Sequence, residues 1–220
     1  MRSHILLLAV IAFCGLAAIT PESTRAGLIT NGGFEAATAG LPDDWNSTGN
    51  LRVVGNQGVT EGSLAVAFSH GNLPSTGALW QTFATQAGVE YLLTFDFGKY
   101  SVNQPNQAAT LYVDLINGAG LGGTSFMFDV VTDSTPGPGN SSPSADVYNS
   151  YSYWFIAVSS STTLRFADYS DPQTAGGGFD AMLDNVDVNP FNTVPEPTSM
   201  ALFGLGASTI AYGTRRRRKP

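Results

Sequence analysis

Alternation is the feature that most limits how this chain can fold. Tyr91, Leu93, Phe95 and Phe97 fall on one side of an extended segment, and Leu92, Thr94 and Asp96 on the other. A repeat of two residues means strand, because successive side chains of an extended chain point to opposite faces. Similar segments occupy 51–55, 63–69, 77–85, 108–116, 124–132, 150–159, 162–169 and 179–188. Between them lie glycine, asparagine, proline and serine clusters such as Asn117-Gly118-Ala119-Gly120 and the stretch 134–144, which stop helices and form turns. Residues 132–145 read as a surface loop, not as a linker between domains. With no helical period in the body, eight to ten short strands predict an all-β fold, a two-sheet antiparallel sandwich or a barrel.

Both ends of the chain read differently from this body. At the front, Arg2 precedes an apolar run over 5–18, and Thr24-Arg25-Ala26 ends in the small residue that signal peptidases prefer. Residues 1–26 are therefore expected to be a signal peptide cleaved after Ala26. The run is shorter than the roughly 20 residues a spanning helix needs. Cys14, the single cysteine of the chain, follows Phe13 where a lipoprotein signal wants a small residue, so no lipid is expected on it. Cleavage leaves a body without cysteine, and neither disulfides nor thiolate zinc sites can support it. Residues 27–193 make one domain of ordinary size.

Charge sharpens this picture once the ends are set aside. Arg52, Lys99 and Arg165 are the cations of 27–193, against fifteen carboxylates, for a net charge of about −12. A surface of that sign repels phosphate backbones and anionic lipids, which excludes nucleic acid as a partner and favours divalent cations.

The other end, 194–220, has three parts. Val194-Pro195-Glu196-Pro197-Thr198 comes first, then an apolar run over 199–213, then Arg215-Arg216-Arg217-Arg218-Lys219. Two prolines exclude a helix or a paired strand and keep the triplet accessible to an enzyme. An apolar helix of about 16 residues spans roughly 24 Å, and long basic side chains can snorkel to complete a crossing. The basic cluster stays on the cytoplasmic side, which leaves the body outside. This tail resembles the PEP-CTERM sorting signal. The resemblance implies a C-terminal transmembrane helix that holds the chain in the inner membrane transiently. It further implies recognition by an exosortase, processing near Pro195, Glu196 and Pro197, and a final place at the cell surface or outside the cell, in a biofilm matrix.

The body carries a second resemblance. Leu28-Ile29-Thr30-Asn31-Gly32-Gly33-Phe34-Glu35 opens it, and Trp80-Gln81-Thr82-Phe83 and Gly88-Val89-Glu90-Tyr91 follow. Tyr153-Trp154-Phe155 and Leu183-Asp184-Asn185-Val186-Asp187-Val188 come near its close. In that order they resemble the galactose-binding-like jelly roll of several carbohydrate-binding modules, and in particular the domain of unknown function best known from plant cell-wall proteins. Unlike the plant members, this body has no cysteines and no paired domain. The resemblance implies a structural Ca2+ shared by the first and last strands, held by Glu35 and Asp184 with the Gly33 carbonyl and the Glu61 loop. Calcium takes six to eight hard oxygens from such groups. In a regular strand over 179–188, Asp184 would face the core with Val186 and Val188, which is costly without a partner. The other reading of these residues is that Asp184 caps a turn and Glu35 is solvated.

For carbohydrate, exposed rings are the usual platform. Trp80 and Trp154 lie within alternating strands and are expected in the core, which leaves Trp45, Tyr100 and Tyr169 as candidate ligand-binding rings. No catalytic constellation stands out. His70 is the one histidine of the body, no nucleophile-elbow pattern surrounds a serine, and Gly176-Gly177-Gly178 lacks the lysine of a phosphate cradle. The sequence thus points to an exported, non-catalytic protein that contacts exopolysaccharide. Its rivals are a purely structural or adhesive surface component and a glycoside-acting hydrolase built on two carboxylates.

Overall fold

The computed structural model describes residues 27–55, 58–70, 73–101, 108–133, 148–170 and 179–191. The expected signal peptide with Ala26, the 134–144 loop, the Gly176-Gly177-Gly178 cluster and the tail with Pro195, Glu196 and Pro197 lie outside the described residues. Among the described residues, no helix is long and apolar enough to cross a membrane.

Three short strands come first, β1 (Ala37–Thr38), β2 (Leu41–Pro42) and β3 (Asn46–Thr48). Nine longer ones follow: β4 (Leu51–Gly55), β5 (Leu64–Phe68), β6 (Ala78–Ala84), β7 (Glu90–Ser101), β8 (Ala109–Asn117), β9 (Ser125–Asp133), β10 (Tyr148–Ile156), β11 (Ser161–Asp168) and β12 (Phe179–Pro190). Each of the nine overlaps an alternating segment of the sequence. Apart from the β1-β2 pair they form two five-stranded sheets, in the orders β10-β7-β12-β5-β4 and β3-β6-β11-β8-β9. All pairings are antiparallel. Consecutive strands repeatedly change sheets, which produces a jelly-roll sandwich.

The inner faces meet through the residues that alternation selects. Tyr91, Leu93, Phe95 and Phe97 of β7 face Leu111, Val113 and Leu115 of β8 and Leu164 and Phe166 of β11 in one core. Phe95 meets Phe166 edge-on across the layers, with ring centroids 5.1 Å apart. The opening segment plugs this core. Asn31 (φ 54°) and Phe34 (φ 58°) turn the chain so that Phe34 is fully buried. Gly32 passes so close to the Val186 carbonyl that any Cβ would overlap it, and its own carbonyl accepts from Val186 N at 3.0 Å. Gln81, buried on the inner side of β6, clamps the same segment by accepting from Thr30 N and donating to the carbonyls of Thr30 and Asp44.

One irregularity decides where a carboxylate points. Asp184 pairs with Asp96 and Asp187 with Thr94, so two residues of β12, Asn185 and Val186, stand opposite Phe95 alone. This bulge turns at Asn185 (φ 52°), a residue that tolerates the left-handed region. It reverses the phase of the strand. Leu183, Val186 and Val188 join the core, while Asp184 sits with Met182 on the outer face. The expectation that Asp184 shares a face with Val186 and Val188 is therefore corrected: a one-residue slip flips every later side chain.

Candidate functional site

The outer face of the first sheet is covered over β5, β12 and the end of β7, and open along edge strand β10. Ala65 and Ala67 of β5, Tyr100 of β7 and Met182 of β12 form a second, smaller buried cluster. Residues 58–62 lie against it, so that a Cβ on Gly58 would come within 2.7 Å of the Met182 Cε. Carboxylates hold this flap from both sides. Asp184 Oδ2 accepts from Thr60 N at 2.7 Å and Glu61 N at 2.9 Å, and Oδ1 accepts from Asn185 N. Asp96 accepts from Thr60 Oγ1, Ser150 Oγ and Asn185 Nδ2. Glu35 Oε1 accepts from Ser63 N at 2.7 Å and Leu64 N at 2.8 Å, and Oε2 from Ser63 Oγ. Gly62, at φ 64°, leaves room for the Glu35 carboxylate.

Electrostatics separates these two acids. Burial pushes the Asp184 carboxyl up to about 6 against the pull of its backbone donors, whereas the Ser63 N–H foremost holds Glu35 below the usual carboxylate range. Gly33 belongs to the same corner, since a Cβ there would come within 2.8 Å of Glu61 Oε2. Glu35, Glu61, Asp184 and Gly33 thus gather on one flap. Among the described residues, however, no group of three or more His, Cys, Asp or Glu side chains is arranged around a metal position.

The opposite outer face is open. Cross-strand register places Trp80 of β6 beside Arg165 of β11, Arg165 beside Asp114 of β8, and Asp114 beside Phe128 of β9. Tyr112 is two residues from Asp114 on the same face and meets Phe128 at 5.0 Å. Tyr169, just past β11, stacks on Tyr112 with centroids 4.1 Å apart and planes 22° from parallel. A bond from Tyr169 N to the Thr110 carbonyl fixes its position. Tyr169 is 60% exposed and Phe128 56% exposed, so the rings form a shelf open to solvent. Desolvation first, and the hydroxyl of Tyr169 second, raise the Tyr112 phenol above its ordinary range. Arg165 is half-buried between its neighbours, and its Nε has no hydrogen-bond partner among the described residues. Asp114 Oδ1 accepts from Ser125 Oγ. The shelf therefore combines stacked faces with a guanidinium, a carboxylate and hydroxyls.

Against the sequence-based candidates, Tyr169 alone lies on this shelf. Trp45 is only 8% exposed, wedged against Phe34 and Phe166 with its Nε1 donating to the Asn31 carbonyl. Tyr100 is buried in the cluster under the flap. Both are corrected from platform rings to structural ones. Trp80 and Trp154, expected in the core, face outward instead: Leu79, Gln81 and Phe83 take the inner positions of β6, and Tyr151, Tyr153 and Phe155 those of β10. Tyr112, Phe128 and Arg165 were missed. The available signal was Thr110-Leu111-Tyr112-Val113-Asp114, whose second face carries no aliphatic residue.

His70 lies outside the shelf. Its Nδ1 is 3.4 Å from Asp180 Oδ2, and the nearby Ser69 hydroxyl donates to Asp168 instead.

Comparison with known proteins bears on both parts of the chain. Residues 193–218 match the family described as the PEP-CTERM protein-sorting motif, so the chain carries that signal and is marked for export and exosortase-mediated placement at the surface or outside the cell. No curated protein matches in sequence. Among solved structures, the sandwich is similar to TmCBM61 in complex with beta-1,4-galactotriose, with 16% identity, a TM-score of 0.51, and coverage of 76% of this chain and 99% of that one. Two others are the CBM22-1 xylan-binding domain of Paenibacillus barcinonensis Xyn10C and the N-terminal cellulose-binding domain of Cellulomonas fimi beta-1,4-glucanase C. The first is 13% identical with a TM-score of 0.47, over 78% of this chain and 100% of that one. The second is 14% identical with a TM-score of 0.47, over 77% and 100%. At 16% identity the likeness to the first of these shows the fold alone.

Proposed function

We propose that the exported sandwich is a non-catalytic binding module for neutral polysaccharide, and that the open face of the second sheet is its site. The observation that carries this reading is the stack of Tyr169 on Tyr112 beside Phe128, in solvent, with Arg165 and Asp114 alongside. Pyranose faces stack on such rings while the charged groups bond to hydroxyls. A net charge of about −12 on 27–193 favours an uncharged polymer over an acidic one. In this account, signal peptidase cuts after Ala26 and the tail holds the inner membrane until exosortase acts near Pro195 to Pro197. The domain then works as a matrix or surface component.

Binding of the fragment 27–193 to an array of neutral glycans, with beta-1,4-galactan and the host's own exopolysaccharide included, tests the proposal. Binding that weakens about tenfold in each of Tyr112→Ala and Tyr169→Ala supports it. Binding unchanged by both substitutions, or release of reducing ends from any bound glycan, contradicts it.

A structural calcium at the flap is part of the same reading. Glu35, Glu61 and Asp184 carry hard oxygens of the donor class calcium prefers, and an ion would have to draw them together, since as placed they do not surround one position. A chelator is then expected to lower the melting temperature of the purified domain. An unchanged melt together with no metal by elemental analysis rejects the ion.

A further inference from the structure

A second apolar surface remains once the ring shelf is assigned. Trp154 and Ile156 project from the outer side of edge strand β10, 49% and 58% exposed, and Val158 continues the patch. Phe191, at the end of β12, sets its ring edge-on to Trp154 at 4.4 Å. Its N–H bonds to the Glu90 carbonyl, which fixes the point where the chain leaves the sandwich. Beside these rings opens a cleft of about 440 Å³ whose described lining includes Phe126, Met127 and the one carboxylate of Glu90. Exposed apolar residues scattered singly need no explanation, but four adjacent ones around a cleft do.

We propose that this patch is a membrane-contact surface, which rests on the uncharged lipid interface while the tail is anchored. The inference depends on the anchoring reading given above. Its basis is chain continuity: Phe191 belongs to the patch, and the apolar run begins at Ser199. Eight residues reach at most about 29 Å. While the run is in the bilayer, the patch cannot move beyond that distance from the headgroups. Tethering raises the effective concentration of lipid at the patch, an advantage a second copy of the domain does not have. Tryptophan and other aromatic residues favour the interfacial layer. The acidic body and Glu90 repel anionic headgroups, so the contact is apolar and suits zwitterionic lipid. The placement also has a consequence for binding. Val158 precedes β11 and Tyr169 follows it, so the eight-residue strand, about 26 Å long, separates the patch from the ring shelf. With the patch on lipid, the shelf is held toward the outside.

The test uses the chain from Gly27 to Pro220 in phosphatidylcholine vesicles containing brominated phosphatidylcholine, with tryptophan quenching as the readout. Trp45 is in the core and Trp80 is on the other sheet, so the quenching is expected to come from Trp154 and to be lost in Trp154→Phe. Substituting serine for Ile156, Val158 and Phe191 together should likewise abolish quenching of Trp154. Protease protection of the apolar run reports the anchoring separately. An unquenched Trp154 on an inserted tail overturns the membrane contact and leaves the anchoring intact. Absence of insertion removes the anchoring and this inference with it. A Trp154 shielded from lipid by cross-linkable pairing with a second copy overturns it in favour of self-association.

Discussion

The two outer faces of this sandwich start from similar material and end in different states. The face of β10-β7-β12-β5-β4 has, over β5, β12 and the end of β7, tyrosine, methionine and alanine under a flap, and Asp184, Asp96 and Glu35 accept the flap's N–H and hydroxyl hydrogens. The face of β3-β6-β11-β8-β9 has Tyr112, Tyr169 and Phe128 with no such flap among the described residues. A loop can seal a sheet only where its backbone donors find acceptors, because an unpaired buried N–H costs more than the burial of a few methyl groups returns. The position of these carboxylates therefore decides where the first sheet is sealed.

Breaking the sealed face should produce the largest effect. Asp184→Ala leaves Thr60 N and Glu61 N without their acceptor, and about 3 kcal/mol of unfolding free energy should be lost in urea titration. Asp184→Asn keeps an acceptor oxygen and should cost much less. If the alanine variant matches the wild type, Asp184 does not hold the flap.

A pH series sharpens the same side of the comparison, with chelator present to exclude bound metal. A folded carboxyl at about 6, above the 3.8 usual for an aspartate, binds its proton more tightly in the native state. Stability should therefore rise as pH falls from 7 to about 4.5, by on the order of 1–2 kcal/mol, and the slope should flatten in Asp184→Asn. Glu35, held low, acts in the opposite sense: its contribution is present above about 4.5 and is lost as pH falls further.

On the open face the expected effects are on binding alone. Tyr112→Ala and Tyr169→Ala should each weaken polysaccharide binding about tenfold, or about 1.4 kcal/mol, while unfolding shifts by less than about 0.5 kcal/mol for the exposed Tyr169. Arg165→Lys should be smaller, a loss of about threefold, since it keeps the charge and removes the planar fork. Titration calorimetry measures all three variants against one glycan.

Much of this architecture could be read from the residues. The nine longer strands follow the alternating segments closely because each is bounded by turn formers and buries one face. β1, β2 and β3 escape because two or three residues contain no period. Alternation also gives two faces without saying which is inside. In β6 the polar Gln81 faces inward, where it clamps the opening segment, and Trp80 faces out. The bulge at Asn185 is equally hidden in a hydrophobic count, although an asparagine inside a strand is a residue that tolerates the turn it makes. The sorting tail was the most legible part, since its three segments are contiguous. The ring shelf was the least, because its members come from β8, β9 and the residue after β11, and only pairing brings them together.

Hydroxyl-radical footprinting of the fragment 27–193, with and without a saturating bound glycan, compares every ring of the domain in one experiment. Protection is expected at Tyr112, Phe128 and Tyr169, with Trp154 and Phe191 reacting as in the free protein. Protection at Trp154 and Phe191 with the three shelf rings unchanged would contradict the shelf as the binding site.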